Sequence, residues 1–272
     1  MIQKYDVAFG TWKISNAEMP IVISAALELG FKHIDTAAAY ANEVGVGDGI
    51  LNAGLPRDAL FVSGKLWTTK RKYDDVIKAC KRSLKNLRLS SFDQYLIHWT
   101  APPALYENWR EMNAETWRAM ESLKSMGLAR NIGVCNFAPH HLSALLQTAE
   151  TPPYVNQVEC HPGFFPINTI EFCLTNGIHV EAWSPLGNGT LLTNPALMAI
   201  ARNHSRGVAQ ICLRWCLQHG VTPVTKTASP EHMRSNLDVF DFSLTDKEIA
   251  MIDALPRIGY SGLNPDTITQ FS

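Results

Sequence analysis

FKHIDTAAAY, residues 31–40, decides how this chain is read. A short run with apolar character ends on Asp35, small residues follow, and Tyr40 comes five positions later. Two more stretches repeat the arrangement: LFVSGKLW at 60–67 places Lys65 at the end of a run, and FDQYLIHW at 92–99 places His98 there. Each run has strand length. If these strands lie parallel in one barrel, Asp35, Tyr40, Lys65 and His98 arrive at the same rim. A tyrosine beside a lysine and a histidine is equipped to move a proton. The ammonium is expected to favour phenolate and pull the tyrosine pKa down from about 10 toward working pH. Histidine can orient the phenol or relay its proton, and Asp35 can hold the lysine charged.

Working outward, strand and helix alternate almost to the end of the chain. Further strand candidates are DVAFGTW, RNIGVCNF, YVNQVEC, IHVEAWSPL and VTPVTKT. They are continuous runs, as expected of parallel strands buried on both faces. Between them, AEMPIVISAALELG carries a proline near its start and a glycine at its end, both sound helix boundaries. YDDVIKACKRSLKNLRL, ETWRAMESLKSMG and VAQICLRWCLQHG repeat apolar residues at helical spacing, and segments around 139–150 and 168–176 complete the series. Eight strands alternating with helices argue for an α/β fold, a (β/α)8 TIM barrel spanning residues 1–272 as a single domain. An open doubly wound sheet is the runner-up, but no GxGxxG follows the first strand. Gly45-Val46-Gly47-Asp48-Gly49 lacks that spacing and reads as a flexible turn or a helix contact. The longest loop is expected at Thr100 to Asn113, overhanging the site after His98.

The 272 residues carry a net charge of -1 and 46% apolar content, which suits a large core and gives no global attraction to nucleic acid or acidic membrane. The six cysteines contain no CxxC pair and read as buried free thiols in a reducing compartment. MIQKYDVAFG does not read as a signal peptide, and no run approaches a membrane span. A soluble cytoplasmic protein is the expectation. His140 and His141 follow Pro139 with no matching ligand cluster, so they read as an exposed helix start and no metal is expected.

The order and spacing of several motifs go further. GTW at 10–12, GFKHIDTAAAYANEVGVG at 30–47, KLW at 65–67, YLIHW at 95–99, GVCNF at 133–137, NQVECHP at 156–162, AWSPLG at 182–187, and Lys226-Thr227 followed by Asn236 resemble the aldo-keto reductase family along nearly the whole chain. The shorter bacterial-type members, similar to 2,5-diketo-D-gluconate reductases, look closest. The resemblance implies a barrel that binds NADPH without a Rossmann domain and reduces a small-molecule carbonyl to the alcohol: an aldehyde, a ketone, an α-dicarbonyl or a keto-sugar. Tyr40 would be the general acid, tuned by Lys65 and His98, with Asp35 paired to Lys65. Asn136 and Gln157 would bond the nicotinamide carboxamide, and Trp183 would stack on the ring. Ser184 and Leu186 would lie near the pyrophosphate, Lys226 and Thr227 would grip the adenosine 2′-phosphate, and Asn236 would contact adenine. Trp12, Trp67 and Trp99, with Phe137, would line the substrate pocket; apart from the resemblance, the loop from Pro102 to Trp109 offers Tyr106 and Trp109 as candidate lid residues.

There are three departures from the family pattern: two positions and the length of the N-terminal segment. Cys135 stands where many members have serine, and a thiol is the weaker donor. His232 stands where many NADPH-preferring members have arginine. Histidine as a type is mostly uncharged at neutral pH and lacks the guanidinium fork, so NADH is expected to be used beside NADPH. Arg234 lies on roughly the opposite helix face. Only nine residues precede Gly10, where the family usually has a hairpin closing the barrel floor. The short connection after AWSPLG implies no long strap over the cofactor and easier exchange. No arginine within these motifs is placed to clamp a substrate carboxylate. A monomer or weak oligomer is expected. Two competing readings are a Schiff-base lyase with Lys65 as nucleophile and a non-enzymatic, nucleotide-binding regulatory subunit.

Overall fold

The computed structural model describes residues 7–268. Eight parallel strands close into one barrel in sequence order, with the first pairing the last. They are β1 (Ala8–Gly10), β2 (His33–Asp35), β3 (Phe61–Leu66), β4 (Phe92–Ile97), β5 (Ala129–Cys135), β6 (Val155–Glu159), β7 (His179–Trp183) and β8 (Val221–Thr225). The expected (β/α)8 barrel is therefore the fold. The question of a floor hairpin falls on residues 1–6, outside those described.

Around the barrel run α1 (Met19–Leu29), α2 (Glu43–Ala53), α3 (Tyr73–Leu87), α4 (Trp109–Ser125), α5 (Pro139–Leu146), α6 (Ile167–Thr175), α7 (Pro195–Asn203), α8 (Val208–Gln218), α9 (Pro230–Leu237) and α10 (Asp246–Asp253). The main core lies between strands and helices, with Phe9, Phe31, Tyr95, Trp117 and Trp215 among its largest members. α1 begins with Pro20 in its first turn and stops at Gly30, whose φ of 113° few other residues adopt.

The glycine-rich run is a helix. Gly45, Gly47 and Gly49 lie inside α2, and a Cβ at each would stand 2.3 Å from Asn16 O, 2.6 Å from Leu87 O and 2.6 Å from Ile23 Cβ. Close approach of α1 and of the end of α3 is what these glycines provide. They are helix contacts, and the flexible-turn alternative is set aside.

Two other expectations are corrected. The loop after β4 ends sooner, because α4 starts at Trp109. Asn113 on its second turn accepts from Ala101 N at 2.8 Å and donates to Thr100 Oγ1 at 2.8 Å, tying the loop to the helix. His141 is buried, and only His140 is exposed. The Trp109 and Phe137 rings cover His141, and the pair does have an acidic neighbour distant in sequence: Asp266 Oδ1 lies 2.7 Å from His140 Nε2 and 3.2 Å from His141 Nε2. His141 Nδ1 accepts the Ala138 N–H at 3.1 Å, so its Nε2 carries the ring hydrogen and has no lone pair for a metal. All six cysteines are free and buried. No described helix is long and apolar enough to cross a membrane.

The barrel interior is unusually polar. Interiors of this fold are commonly filled by branched apolar residues. Here Leu96, Cys135 and Val155 form a small apolar cluster apart from the main core. His33, Ser63, Gln94 and Glu181 form a polar layer, with Asp35, Lys65 and Gln157 continuing it: Gln94 reaches from β4 to Glu181 on β7, and Gln157 reaches from β6 to Asp35 on β2.

Candidate active site

Parallel strands carry all their C-terminal ends to one rim, and that rim holds a cleft of about 1060 Å3. Asp35 is the last residue of β2. A 3-10 turn over Ala38–Tyr40 then swings Tyr40 to the cleft, and Ala41 follows in the left-handed region at φ 55°. Lys65 is the penultimate residue of β3, and His98 follows β4, donating its N–H to Leu66 O at 3.1 Å. The four side chains singled out from the sequence do converge.

Lys65 Nζ donates to Asp35 Oδ1, with both side chains almost wholly buried. The same ammonium lies 5.4 Å from the Tyr40 ring centroid. Tyr40 meets His98 edge to face at 5.7 Å, and His98 meets Trp67 at 5.3 Å. Burial works against the charge on Lys65, but Asp35 and then Tyr40 raise its pKa above the ordinary lysine value. Burial, with Lys65 adding to it, lowers His98 well below the usual imidazole value. Its Nδ1 is buried and has no hydrogen-bond partner among the described residues.

Tyr40 departs from expectation. Burial pushes its phenol up to about 12, against the opposing pull of Lys65. Desolvation of the anion outweighs the attraction of one ammonium whose charge is already shared with Asp35. At neutral pH Tyr40 is therefore a phenol with a proton to give.

Beside this group, Asn136 sits at φ 60°, a conformation asparagine tolerates better than most residues. Its Nδ2 donates to His98 O at 3.1 Å, and its Oδ1 accepts from Trp183 Nε1 at 2.8 Å. Asn136 thus pins the His98 backbone and the Trp183 indole together. Gln157 Nε2 donates to Asp35 Oδ2 at 2.9 Å and to Glu181 Oε2 at 2.7 Å. Both amide hydrogens are used, which leaves Oε1 as the polar atom it offers to the cleft. Burial holds the Cys135 thiol well above its ordinary pKa, so it faces the cleft as a weak donor.

The cleft continues over Ser184 and Leu186 to Lys226, Thr227, His232 and Asn236. Ser184 Oγ donates to Asn188 Oδ1 at 3.1 Å. Thr227 Oγ1 accepts Ser229 N at 3.0 Å, and Asn236 Nδ2 donates to Thr225 Oγ1 at 3.3 Å, which shapes the turn into α9. His232 is exposed at the start of α9 and faces the cleft, whereas Arg234 is exposed and does not line it. Trp12, Trp67 and Trp99 line the cleft as expected. Phe137 does not: it is 1% exposed and belongs to the core, packing on His141 at 5.8 Å. Tyr106 and Trp109 are also outside the lining, and Trp109 is buried against His141 at 5.0 Å. No lid is formed by either.

Some lining residues had no signal in the sequence reading. Gly207, Val208 and Ala209 at the start of α8 and Leu263 and Ile268 near the end of the chain all face the cleft. Gln94 and Glu181 were equally unmarked, although a glutamate between Val180 and Ala182 in a doubly buried strand is a visible anomaly.

The cleft fits a nicotinamide dinucleotide on this chain's own terms. It joins a proton donor, a flat indole and a free amide oxygen at one end to a lysine and a helix N-terminus at the other, where phosphate is favoured. The sequence pattern of the Aldo/keto reductase family matches residues 6–257. The chain is similar to the glyoxal reductase of Bacillus subtilis (strain 168), 42% identical over 260 residues, covering 95% of this chain and 91% of that protein. An aldo/keto reductase structure from Brucella melitensis superposes with a TM-score of 0.86 at 39% identity, over 91% of this chain and 93% of that one. A Bombyx mori aldo-keto reductase in complex with NADP superposes with a TM-score of 0.83 at 34% identity, over 91% and 87% of the two chains. The chain belongs to the aldo/keto reductase family.

Proposed function

We propose that this protein is an NAD(P)H-dependent reductase of small aldehydes and ketones, with α-dicarbonyls in its range, and that Tyr40 gives the proton. The observation that carries the reading is the convergence of a neutral, half-buried Tyr40 phenol with the Lys65–Asp35 pair and neutral His98 at one end of an aromatic-walled cleft. When bound, reduced nicotinamide supplies the hydride.

The chain's own residues do the rest. Tyr40 donates its hydroxyl proton to the carbonyl oxygen as negative charge builds there. Lys65, held protonated, stabilises the phenolate left behind; an ammonium in a low-dielectric site is worth far more than in water. Asp35 keeps that ammonium charged and in place. His98, being neutral, can hydrogen-bond the oxygen without adding charge. Trp12, Trp67 and Trp99 exclude water and leave one polar anchor, which suits compact carbonyl compounds. Positioned proton donation is worth roughly 10²- to 10⁴-fold.

Asn136 and Gln157 hold the carboxamide, Trp183 stacks on the ring, Ser184 and Leu186 flank the pyrophosphate, and Lys226 and Thr227 meet the 2′-phosphate. Asn236 meets adenine. His232 relaxes the choice of cofactor, so NADPH is preferred and NADH is also turned over. The Asp35 contact argues against Lys65 as a Schiff-base nucleophile, which must first lose its proton. Free buried thiols suit a reducing compartment, and the reading includes a cytoplasmic protein that works as a monomer or weak oligomer.

The test is cofactor oxidation with a panel of aldehydes, α-dicarbonyls and keto-sugars, NADPH and NADH in parallel. Turnover of dicarbonyls with both cofactors supports the reading. Cofactor binding without turnover of any carbonyl would favour a nucleotide-binding regulatory subunit instead.

A further inference from the structure

Glu181 is 5% exposed inside the barrel, and no ion pair reaches it from the described residues. Its partners are two amides: Gln94 Nε2 donates to Oε1 at 3.0 Å, and Gln157 Nε2 donates to Oε2 at 2.7 Å. A carboxylate placed there costs desolvation that two neutral donors only partly offset. Such a group is expected where its chemistry is used.

An ionised carboxylate is acceptor-only, so a neighbouring amide must turn its NH2 toward it. Gln157 lies between two such groups, Asp35 Oδ2 at 2.9 Å and Glu181 Oε2 at 2.7 Å. One acceptor would leave the second amide hydrogen free to swing into the cleft. Two acceptors consume both hydrogens and fix the amide plane, so that only Oε1 faces the cleft. We infer that Glu181 is a positioning residue that, with Asp35, fixes the Gln157 amide so that the cofactor carboxamide is met by a carbonyl oxygen and never by an NH2. This rests on the nicotinamide reading given above. The carboxamide would then donate its own NH2 to Gln157 Oε1, which sets how the ring is turned beside Tyr40.

Gln94 adds a consequence. Its Oε1 is buried without a partner among the described residues, while its Nε2 also donates to Ser63 Oγ at 3.2 Å. If position 181 carried an amide, Gln94 could rotate and accept from it, leaving the new amide oxygen for Gln157. An acceptor with the reach of glutamate is required at 181, and its charge is not.

The experiment is equilibrium binding, with no turnover involved, of NADP+ and its 3-acetylpyridine analogue, followed by calorimetry. The analogue replaces the carboxamide NH2 by methyl, so it cannot donate to Gln157. The parent protein should bind it roughly tenfold more weakly than NADP+, as loss of one hydrogen bond to a buried acceptor implies. Glu181→Met removes the acceptor and should bring that ratio within about twofold of unity. Glu181→Asp, which withdraws the acceptor, should do the same, and it decides the matter if the methionine variant does not fold. Glu181→Gln should keep the parent ratio. Folded Met or Asp variants that keep the parent ratio would overturn the inference, as would a Gln variant that loses it as they do. Failure of the parent to bind either nucleotide would refute the cofactor reading instead.

Discussion

Lys65 and Asp35 form an ion pair in which neither side chain is more than 3% exposed, set between strands β3 and β2 next to the Tyr40 ring. Charges this deep are expensive, and each is tolerable only while the other is present. Asp35→Asn should therefore destabilise the protein by about 3–5 kcal/mol. Adding Lys65→Met to that variant should restore much of the stability and none of the activity. Urea unfolding of the two variants checks the first statement, and cofactor oxidation checks the second. Full activity in the double variant would remove the pair from the chemistry.

Tyr40 carries a pH dependence whose sign is fixed by burial. Its phenol is pushed up to about 12, so it is protonated below that value and ionised above it. Carbonyl reduction, which consumes the proton, should stay level through the neutral range and decline only in strongly alkaline solution. Alcohol oxidation needs the phenolate as base and should rise with pH over the same range. Parallel pH profiles in the two directions test this. A reduction rate that rises with pH through neutrality would contradict it.

His232 should set the cofactor choice. The imidazole faces the cleft at the start of α9, where a guanidinium would reach phosphate as a planar fork. His232→Arg is expected to raise the NADPH-to-NADH ratio of kcat/KM by roughly tenfold, about one charge-assisted hydrogen bond. An unchanged ratio would place the discrimination entirely on Lys226 and Thr227.

Packing gives a separate forecast. A methyl at Gly47 would press on the backbone of Leu87 at 2.6 Å, and backbone yields little. Gly47→Ala should cost about 1–3 kcal/mol despite alanine's better helix propensity. A thermal melt at or above the parent's would show that α2 and α3 can part at no cost.

The sequence was most legible where chemistry sits on strand ends. Asp35 closes β2, Lys65 stands one residue before the end of β3 and His98 one residue after β4, so a barrel brings all three to one rim by topology. It was less legible where a residue's role depends on a partner far along the chain. His141 is buried under the Trp109 and Phe137 rings with Asp266 folded back near it, and α2 packs its glycines closely against Met19, Ile23 and Leu87. The direction of the Tyr40 pKa was misread for a related reason: a lysine was visible in the sequence, but the depth of burial that outweighs it was not. Phe137 lies one residue beyond Asn136 in the chain, yet it points to the core, so a motif neighbour is not always a pocket neighbour.

On the proposed reading, the Tyr40 hydroxyl gives the proton to a carbonyl reduced by NADPH. The direct measurement is a single-turnover comparison of parent and Tyr40→Phe, mixing the preformed NADPH complex with a small α-dicarbonyl and following nicotinamide absorbance. NADPH should bind both proteins within about twofold while the variant's rate falls at least roughly 10²-fold. A variant that binds NADPH normally and reduces the dicarbonyl at the parent's rate would contradict it.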